Sequence, residues 1–521
     1  MSVARQSIDH LISADTTIRA LIDEQADRYG DRSFILDPKT QEIATYRELR
    51  CAVRSVANIL NSRGIEKGES VAYALSNGQD CAIVILGILY GGFRATAINL
   101  IAGAKTIGYV LEHSQTRLII TEARYNELLD QAQEGATSKT RQLDIADLHH
   151  DDEDVIPIQP FAPLIPDNDG LLMYTSGTTG QPKGVVLSHR NLVAGGLNAA
   201  TAHQLGPDDR ALCVLPLYHI NGLCVTLMGP LVSGGSVVMP RQFSSSAFWN
   251  QIRENNCTWF SVVPTQISYL LHDDVSGDIA EPGLEQVRFG RSASAPLSPD
   301  VQSSFEKRFE IPIIETMGLT ETAAQILSNP LPPGIRKVGS PGIAVGNEVI
   351  IADNDCVELP RGTEGEVLVR GNNVMGRYLN NAAVTNQSFG EGGWLKTGDL
   401  GRMDRDGYVF ITGRSKELII KGGENIAPRE VDEALYAHPD IIEAAAFARP
   451  CNNYGQTVEA AVSIRENSSL TQAELLDFCV HRLGKFKTPD KIYFLDELPK
   501  GPSGKIQRIR ISEIIEKHQN K

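Results

Sequence analysis

The sequence contains no Cys-x-x-Cys pair; its eight cysteines, at positions 51, 81, 213, 224, 257, 356, 451 and 479, are scattered along the chain. That spacing writes neither a zinc cage nor a disulfide framework, and free thiols point to a reducing cytoplasm. Excess positive charge is also absent. Lys and Arg number 49 against 64 Asp and Glu, and the net charge of −15 repels phosphate backbones and anionic lipid over most of the surface, which argues against nucleic acid as a partner. Long apolar runs are missing as well. The most apolar stretch, Cys81 to Phe93, is shorter than the roughly 20 residues of a membrane span and is closed by Arg94, so it reads as a buried helix. The opening residues lack the apolar core of a signal peptide, and Gln519-Asn520-Lys521 is not a Ser-Lys-Leu address, so a cytoplasmic protein is expected. No internal repeat or low-complexity tract is evident.

What is present is a globular composition, 42% hydrophobic and 22% charged over 521 residues. Domains of about 100–200 residues imply two to four of them. Thr45 and Glu48 have capping-box spacing, and Leu49, Val53, Val56 and Leu60 then repeat at helical intervals before Gly64, which predicts an amphipathic helix. Short β-rich runs at 70–75 and 117–121 alternate with helices, the signature of α/β layering. From about Arg336 the texture changes to Val/Ile/Gly-rich runs at 349–351, 365–370 and 407–412, as in a small β subdomain. A helix over 429–435 and a strand over 459–463 predict a compact α+β unit beyond a boundary near Arg414. The expected fold is therefore a large N-terminal region, 1–412, of doubly wound α/β layers with a small β subdomain, followed by a small mobile α+β domain, 413–521.

The segment with the most chemistry runs from Leu171 to Leu187, two apolar runs around a turn of glycines, hydroxyls and one lysine. Gly177, Gly180 and Gly184 let backbone N–H groups turn toward one anion; Thr175, Ser176, Thr178 and Thr179 add hydroxyl donors; Lys183 adds charge. It is neither a Walker loop nor a Gly-x-Gly-x-x-Gly turn, since neither pattern occurs in the chain. Composition alone also allows a solvated hairpin.

Six further stretches carry chemistry. Leu215 to Gly222 sets Tyr218 and His219 before a glycine, with Ile220 and Asn221 beside them; a lone His is often a satisfied core residue. Glu315, Thr316, Met317, Gly318, Leu319, Thr320 and Glu321 combine hydroxyls with hard carboxylate oxygens, a pairing also common as a helix cap. Asp399, within Gly393 to Leu400, is, when ionised, a hydrogen-bond acceptor only. Gly413 to Glu417 and Lys421 to Ile426 are a charged turn and a two-glycine loop, and Leu498 to Arg508 carries Lys505 between Gly504 and Ile506.

In their order these stretches resemble the adenylate-forming superfamily of acyl-CoA synthetases, adenylation domains and firefly-type luciferases, over nearly the whole chain. The resemblance implies an AMP-forming acyl-CoA synthetase that uses ATP, Mg²⁺ and CoA. It assigns Thr175 to Gly180 and Lys183 to the phosphates, and Ser294, Ala295, Pro296, Glu315, Thr316, Met317 and Gly318 to the adenine side. Thr320 falls to the α-phosphate, Thr175 and Glu321 to the metal, and Asp399 and Arg414 to the ribose. Lys416 is the hinge, and Lys505 enters the adenylation site to bridge substrate carboxylate and α-phosphate. Lys421, Gly422, Gly423 and Glu424 help form the pantetheine tunnel. His219, Ile220, Asn221, Arg291, Ser292, Met317, Gly318 and Ala324 fall on the acyl pocket. The departures are Met317, where an aromatic often stacks on adenine, and Ala293, where glycine is usual.

Within the superfamily, Ile313 to Gly334, Arg291-Ser292, Trp249 and Thr258-Trp259 most resemble oxalate-CoA ligases. Those enzymes carry a His one residue before Gln325, where this chain has Ala324, which counts against oxalate. Arg291 fits a polar acid, while Met317, Ile326 and Ala324 fit a short or medium aliphatic one. The alternatives are a stand-alone ligase that loads a carrier-protein thiol, a luciferase-like or oxyacid-activating enzyme, and a non-catalytic nucleotide-binding module. Retention of Lys505, Glu321 and Asp399 counts against the last. A homodimer is the assembly left open.

Overall fold

The computed structural model describes residues 13–136, 139–148, 160–175, 181–272, 283–451, 453–501 and 504–519, with side chains of the last helix described to residue 515. Two large sheets, each parallel at its centre, dominate residues up to 344. In one of nine strands, Phe289–Ser292, Trp259–Val262, Arg210–Cys213, Ser236–Val238 and Ser33–Leu36 lie inside, with Ile313–Leu319 paired in parallel to the first of these. Antiparallel strands, among them Ala324–Ser328 and Ile43–Thr45, close its edges. In the other, of seven strands, Arg94–Ala97, Ser70–Ala74 and Leu118–Thr121 are central, and the hairpin Asp169–Thr175 and Lys183–Ser188 lies at one side.

Helices fill the space between these sheets and cover their outer faces. The helix Tyr46–Ser62 starts at the capping box of Thr45 and Glu48 and buries Leu49, Val53, Val56 and Leu60, as its spacing predicts. Gln79–Gly91, the apolar helix, is buried all round. Both share one core with residues of both sheets, such as Val71 and Tyr73 on one side and Phe34, Trp259 and Phe289 on the other. A second core packs Phe248, Trp249, Ile267 and Phe305 on the far face of the nine-stranded sheet, and a third packs Ile107, Val110 and Leu129 on the far face of the seven-stranded one. This is the doubly wound, layered α/β arrangement expected.

Beyond it, Glu348–Ala352, Glu364–Arg370, Leu395–Met403 and Val409–Arg414 form an antiparallel four-stranded sheet. The run expected to extend from 407 begins later because Gly407, at φ 88°, still belongs to the turn. A fourth sheet, containing Ile441–Cys451 and Gly455–Ile464, packs its own core against Pro428–Tyr436 and Gln472–Lys487. No described helix is long and apolar enough to cross a membrane.

Candidate active site

A cavity of about 290 Å³ opens where the two large sheets meet the four-stranded one, and its walls come from remote segments: Thr175, His219 to Asn221, Ser294, Gly318 to Glu321, Tyr378, Leu395 to Thr397 and Arg414. The loop around Gly222 doubles back so closely that a Cβ there would lie 2.5 Å from the Pro216 carbonyl oxygen. Gly318 has the same role on the opposite wall, where an added Cβ would come within 1.7 Å of the Ala324 carbonyl oxygen.

At one end, Thr175 ends its strand directly opposite Lys183. Ser176, Gly177, Thr178, Thr179 and Gly180, between them, lie outside the described residues. Lys183 Nζ stands 5.4 Å from the centre of the Tyr378 ring, and the Tyr378 hydroxyl donates to Glu321 Oε1 at 2.8 Å. Tyr378 thus joins the loop lysine to the candidate metal-binding carboxylate. Burial and the charge of Glu321 push the Tyr378 phenol up, so it stays protonated and donates.

The second end gathers charges of both signs. Asp399 is buried opposite Arg414 in the strand register, and Arg414 Nε donates to Asp399 Oδ1 at 2.7 Å. Burial raises the Asp399 carboxyl while the guanidinium opposes that rise. Lys505, half-buried, faces this pair: burial and then Arg414 lower its pKa, Arg508 adds to that, and Glu417 and Asp399 oppose it. Its loop is seated by a hydrogen bond from Thr265 Oγ1 to the Gly504 carbonyl at 3.3 Å. Lys505 also borders a smaller cavity of about 90 Å³ with Ser294, Ala295 and Pro296. Glu315 and Thr316 support that stretch from behind, Glu315 Oε1 accepting from the Leu297 amide at 3.2 Å and Thr316 Oγ1 donating to the Ser292 carbonyl at 3.2 Å. Ser294 borders both cavities and holds φ at 73°, a left-handed conformation unusual for serine.

At the third end, burial pushes His219 down to about 4, leaving a neutral imidazole at neutral pH whose Nε2 has no hydrogen-bond partner among the described residues. Asn221 shares this wall. Directly behind it, Arg291 Nη1 donates to Asn221 Oδ1 at 2.6 Å. Arg291 is 1% exposed, and its hydrogen-bond acceptors, Asn221, Ser261 and Gln325, are all neutral.

One comparison decides the family. The AMP-binding enzyme family matches residues 22–379, and the AMP-binding enzyme C-terminal domain matches residues 430–505. The chain is an AMP-binding enzyme. It is 45% identical over 499 residues to a sulfoacetate–CoA ligase of Cupriavidus necator, covering 95% of this chain and 97% of that one. It is 33% identical to an oxalate–CoA ligase of Arabidopsis thaliana, covering 94% and 97%. Among solved structures, ATP-bound MatB from Rhodopseudomonas palustris superposes with a TM-score of 0.86 at 27% identity, covering 96% and 99%. These findings make this AMP-binding enzyme an AMP-forming acid–thiol ligase that uses ATP and CoA, and they bear out the oxalate-CoA-ligase-like resemblance.

The remaining expected site residues of this AMP-binding enzyme are spread more widely. Ser292 and Ala324 are buried and Met317 is partly buried against the core; none of the three lines the larger cavity. Lys416 lies in the turn after Arg414, where the Glu417 amide donates to the Arg414 carbonyl at 3.0 Å. Lys421, Gly422, Gly423 and Glu424 form a hairpin turn on the fourth sheet, where Lys421 pairs with Asp490 at 3.3 Å. They line neither cavity. Sequence reasoning missed Tyr378, which sits on a two-residue strand, Arg377–Tyr378, pairing with Val186 and Val185; so short a strand has no periodicity to read.

Proposed function

We propose that this enzyme activates a short acid carrying a second anionic group, of the kind typified by sulfoacetate, and passes the acyl group to CoA. The observation that carries the reading is Arg291: a fully buried guanidinium whose described hydrogen-bond acceptors are all neutral, one residue behind the wall of the cavity. A buried cation is costly unless an anion compensates it, and a substrate anion does so only when bound.

The chemistry follows from positioning and neutralisation. A carboxylate that attacks the α-phosphorus meets like charge; Lys505 lowers that barrier by holding both groups, and Thr320 steadies the phosphate. The carboxylate oxygen forms the new P–O bond as pyrophosphate leaves, drawn toward Lys183 and the 175–180 loop. Asp399 takes the ribose hydroxyls. Glu321 and Thr175 offer hard oxygen donors on the same cavity, a set that fits Mg²⁺, which when bound would supply phosphate charge neutralisation. The CoA thiol then displaces AMP from the acyl carbonyl, with Lys416 as hinge between residues 1–412 and 413–521 and residues 421–424 along the pantetheine path. The relatives are named CoA ligases, which favours CoA over a carrier-protein thiol. Dependence on ATP and CoA supports a cytoplasmic site of action, and light scattering at twice the chain mass would support a homodimer.

The test is pyrophosphate release with sulfoacetate, oxalate, malonate, propionate and hexanoate, with and without CoA, and mass spectrometry of the product. Sulfoacetate-dependent release with formation of its CoA thioester is expected. Efficient turnover of hexanoate and propionate with none of the dianionic acids would refute the reading.

A further inference from the structure

Behind the acyl wall runs a buried chain of polar groups with a single cation in the middle. Gln325 Oε1 accepts from His203 Nε2 at 3.1 Å and from Arg291 Nε at 3.3 Å. Arg291 Nη1 donates to Asn221 Oδ1 at 2.6 Å and to Ser261 Oγ at 3.0 Å, and Asn221 Nδ2 donates to Ser294 Oγ at 3.2 Å. Two donors converging on one oxygen fix the Gln325 amide, and its Nε2 is left buried without a partner among the described residues. The same logic fixes Asn221: its oxygen is held by the guanidinium, so its NH₂ is the face left for the cavity. An amide so turned offers donors, which suit an anionic group.

The chain around Gln325 is held in an unusual way. Ala323 and Ala324 have φ of 44° and 79°, consecutive left-handed residues that are not glycine. They bring the strand Ala324–Ser328 onto Gly318 and set Gln325, 0% exposed, against Arg291. Both other titratable neighbours of the guanidinium are neutral. Burial pushes the Cys224 thiol up to about 12, and burial together with the charge of Arg291 pushes His203 down to about 3.

We propose that Gln325 is a specificity-determining positioning residue: a neutral acceptor that orients Arg291 without neutralising it, reserving that charge for the second anionic group of the acid, met at the cavity by Asn221 and Ser294. The inference rests on the reading of the acid given above. A glutamate at 325 has nearly the same shape and would form a buried ion pair with Arg291; charge, and not geometry, is what the amide withholds.

The experiment is Gln325→Glu in the full chain, with kcat/KM for pyrophosphate release measured for sulfoacetate and for propionate, which lacks the second charge. The sulfoacetate-to-propionate ratio is expected to fall by about tenfold or more, through KM for sulfoacetate, while the thermal midpoint is no lower than wild type because the guanidinium gains a partner. Asn221→Asp places a carboxylate on the other side of Arg291 and should lower the same ratio, so it stands in if Gln325→Glu does not fold. An unchanged ratio in the folded variants would overturn the inference and leave Gln325 a packing residue. Wild type that turns over propionate and refuses sulfoacetate, oxalate and malonate would instead overturn the reading of the acid.

Discussion

Two of the three ends of the site, around Lys505 and around Arg291, treat charge in opposite ways. Around Lys505 every neighbouring charge has a described partner of opposite sign: Arg414 with Asp399, and Arg508 with both Asp432 and, at 3.7 Å, Glu417. Around Arg291 the acceptors are two amides and a hydroxyl. Paired charges keep their places whether or not ligand is present, and they suit a part shared by every substrate, the nucleotide. A charge held only by neutral groups responds to what enters the cavity, and it suits the part that differs from one ligase to the next, the acid.

That contrast is open to direct attack. The largest effect is expected for Lys505→Ala, which should slow acid-dependent pyrophosphate release by about a hundredfold or more, because an electrostatic contact to the reacting groups is lost. Stopped-flow or coupled detection of pyrophosphate would measure it, and a loss below threefold would move the catalytic charge elsewhere. Next is Arg508→Met, which leaves Asp432 buried beside no guanidinium; a destabilisation of about 3 kcal/mol is expected by chemical denaturation. Arg291→Met should cost far less stability by the same measurement, since it removes a cation that had no counter-ion, and a loss as large as that of Arg508→Met would erase the distinction between the two ends.

A smaller effect is expected for Tyr378→Phe. It deletes one charge-assisted hydrogen bond to Glu321, worth about 1–2 kcal/mol, and should lower adenylation about tenfold with unchanged folding by circular dichroism. The smallest is a pH effect. In its proposed role Lys505 holds two anions only when protonated, and burial lowers its pKa, so adenylation should lose rate on the alkaline side at a pH below that of an ordinary lysine. In Lys505→Arg that alkaline limb should move to higher pH, because a guanidinium keeps its proton.

Local signals were legible in the chain. The capping box at Thr45 and the apolar helix at 79–91 each follow from residues close in sequence. Lys505, Asp399 and Glu321 stand out as candidates because each sits in a stretch with a distinctive order. What was not legible depends on distant partners. Tyr378 reaches Glu321 only because a two-residue strand closes the edge of the seven-stranded sheet. His203 caps the helix His189–Ala202 and stacks on Phe289 at 5.1 Å, a contact no spacing announces. Arg291 is visible in the sequence as a cation, but its neutral company comes from strands and loops more than 25 residues away in each direction. The left-handed pair Ala323–Ala324 carries no glycine to mark it.

The most direct test of the account is the preference between sulfoacetate and propionate, read as a ratio of kcat/KM in wild type and in Arg291→Met. The account predicts a wild-type ratio well above one that collapses by about a hundredfold in the variant, with propionate changed little. A variant that keeps the wild-type ratio would contradict it, for the buried charge would then have no part in choosing the acid.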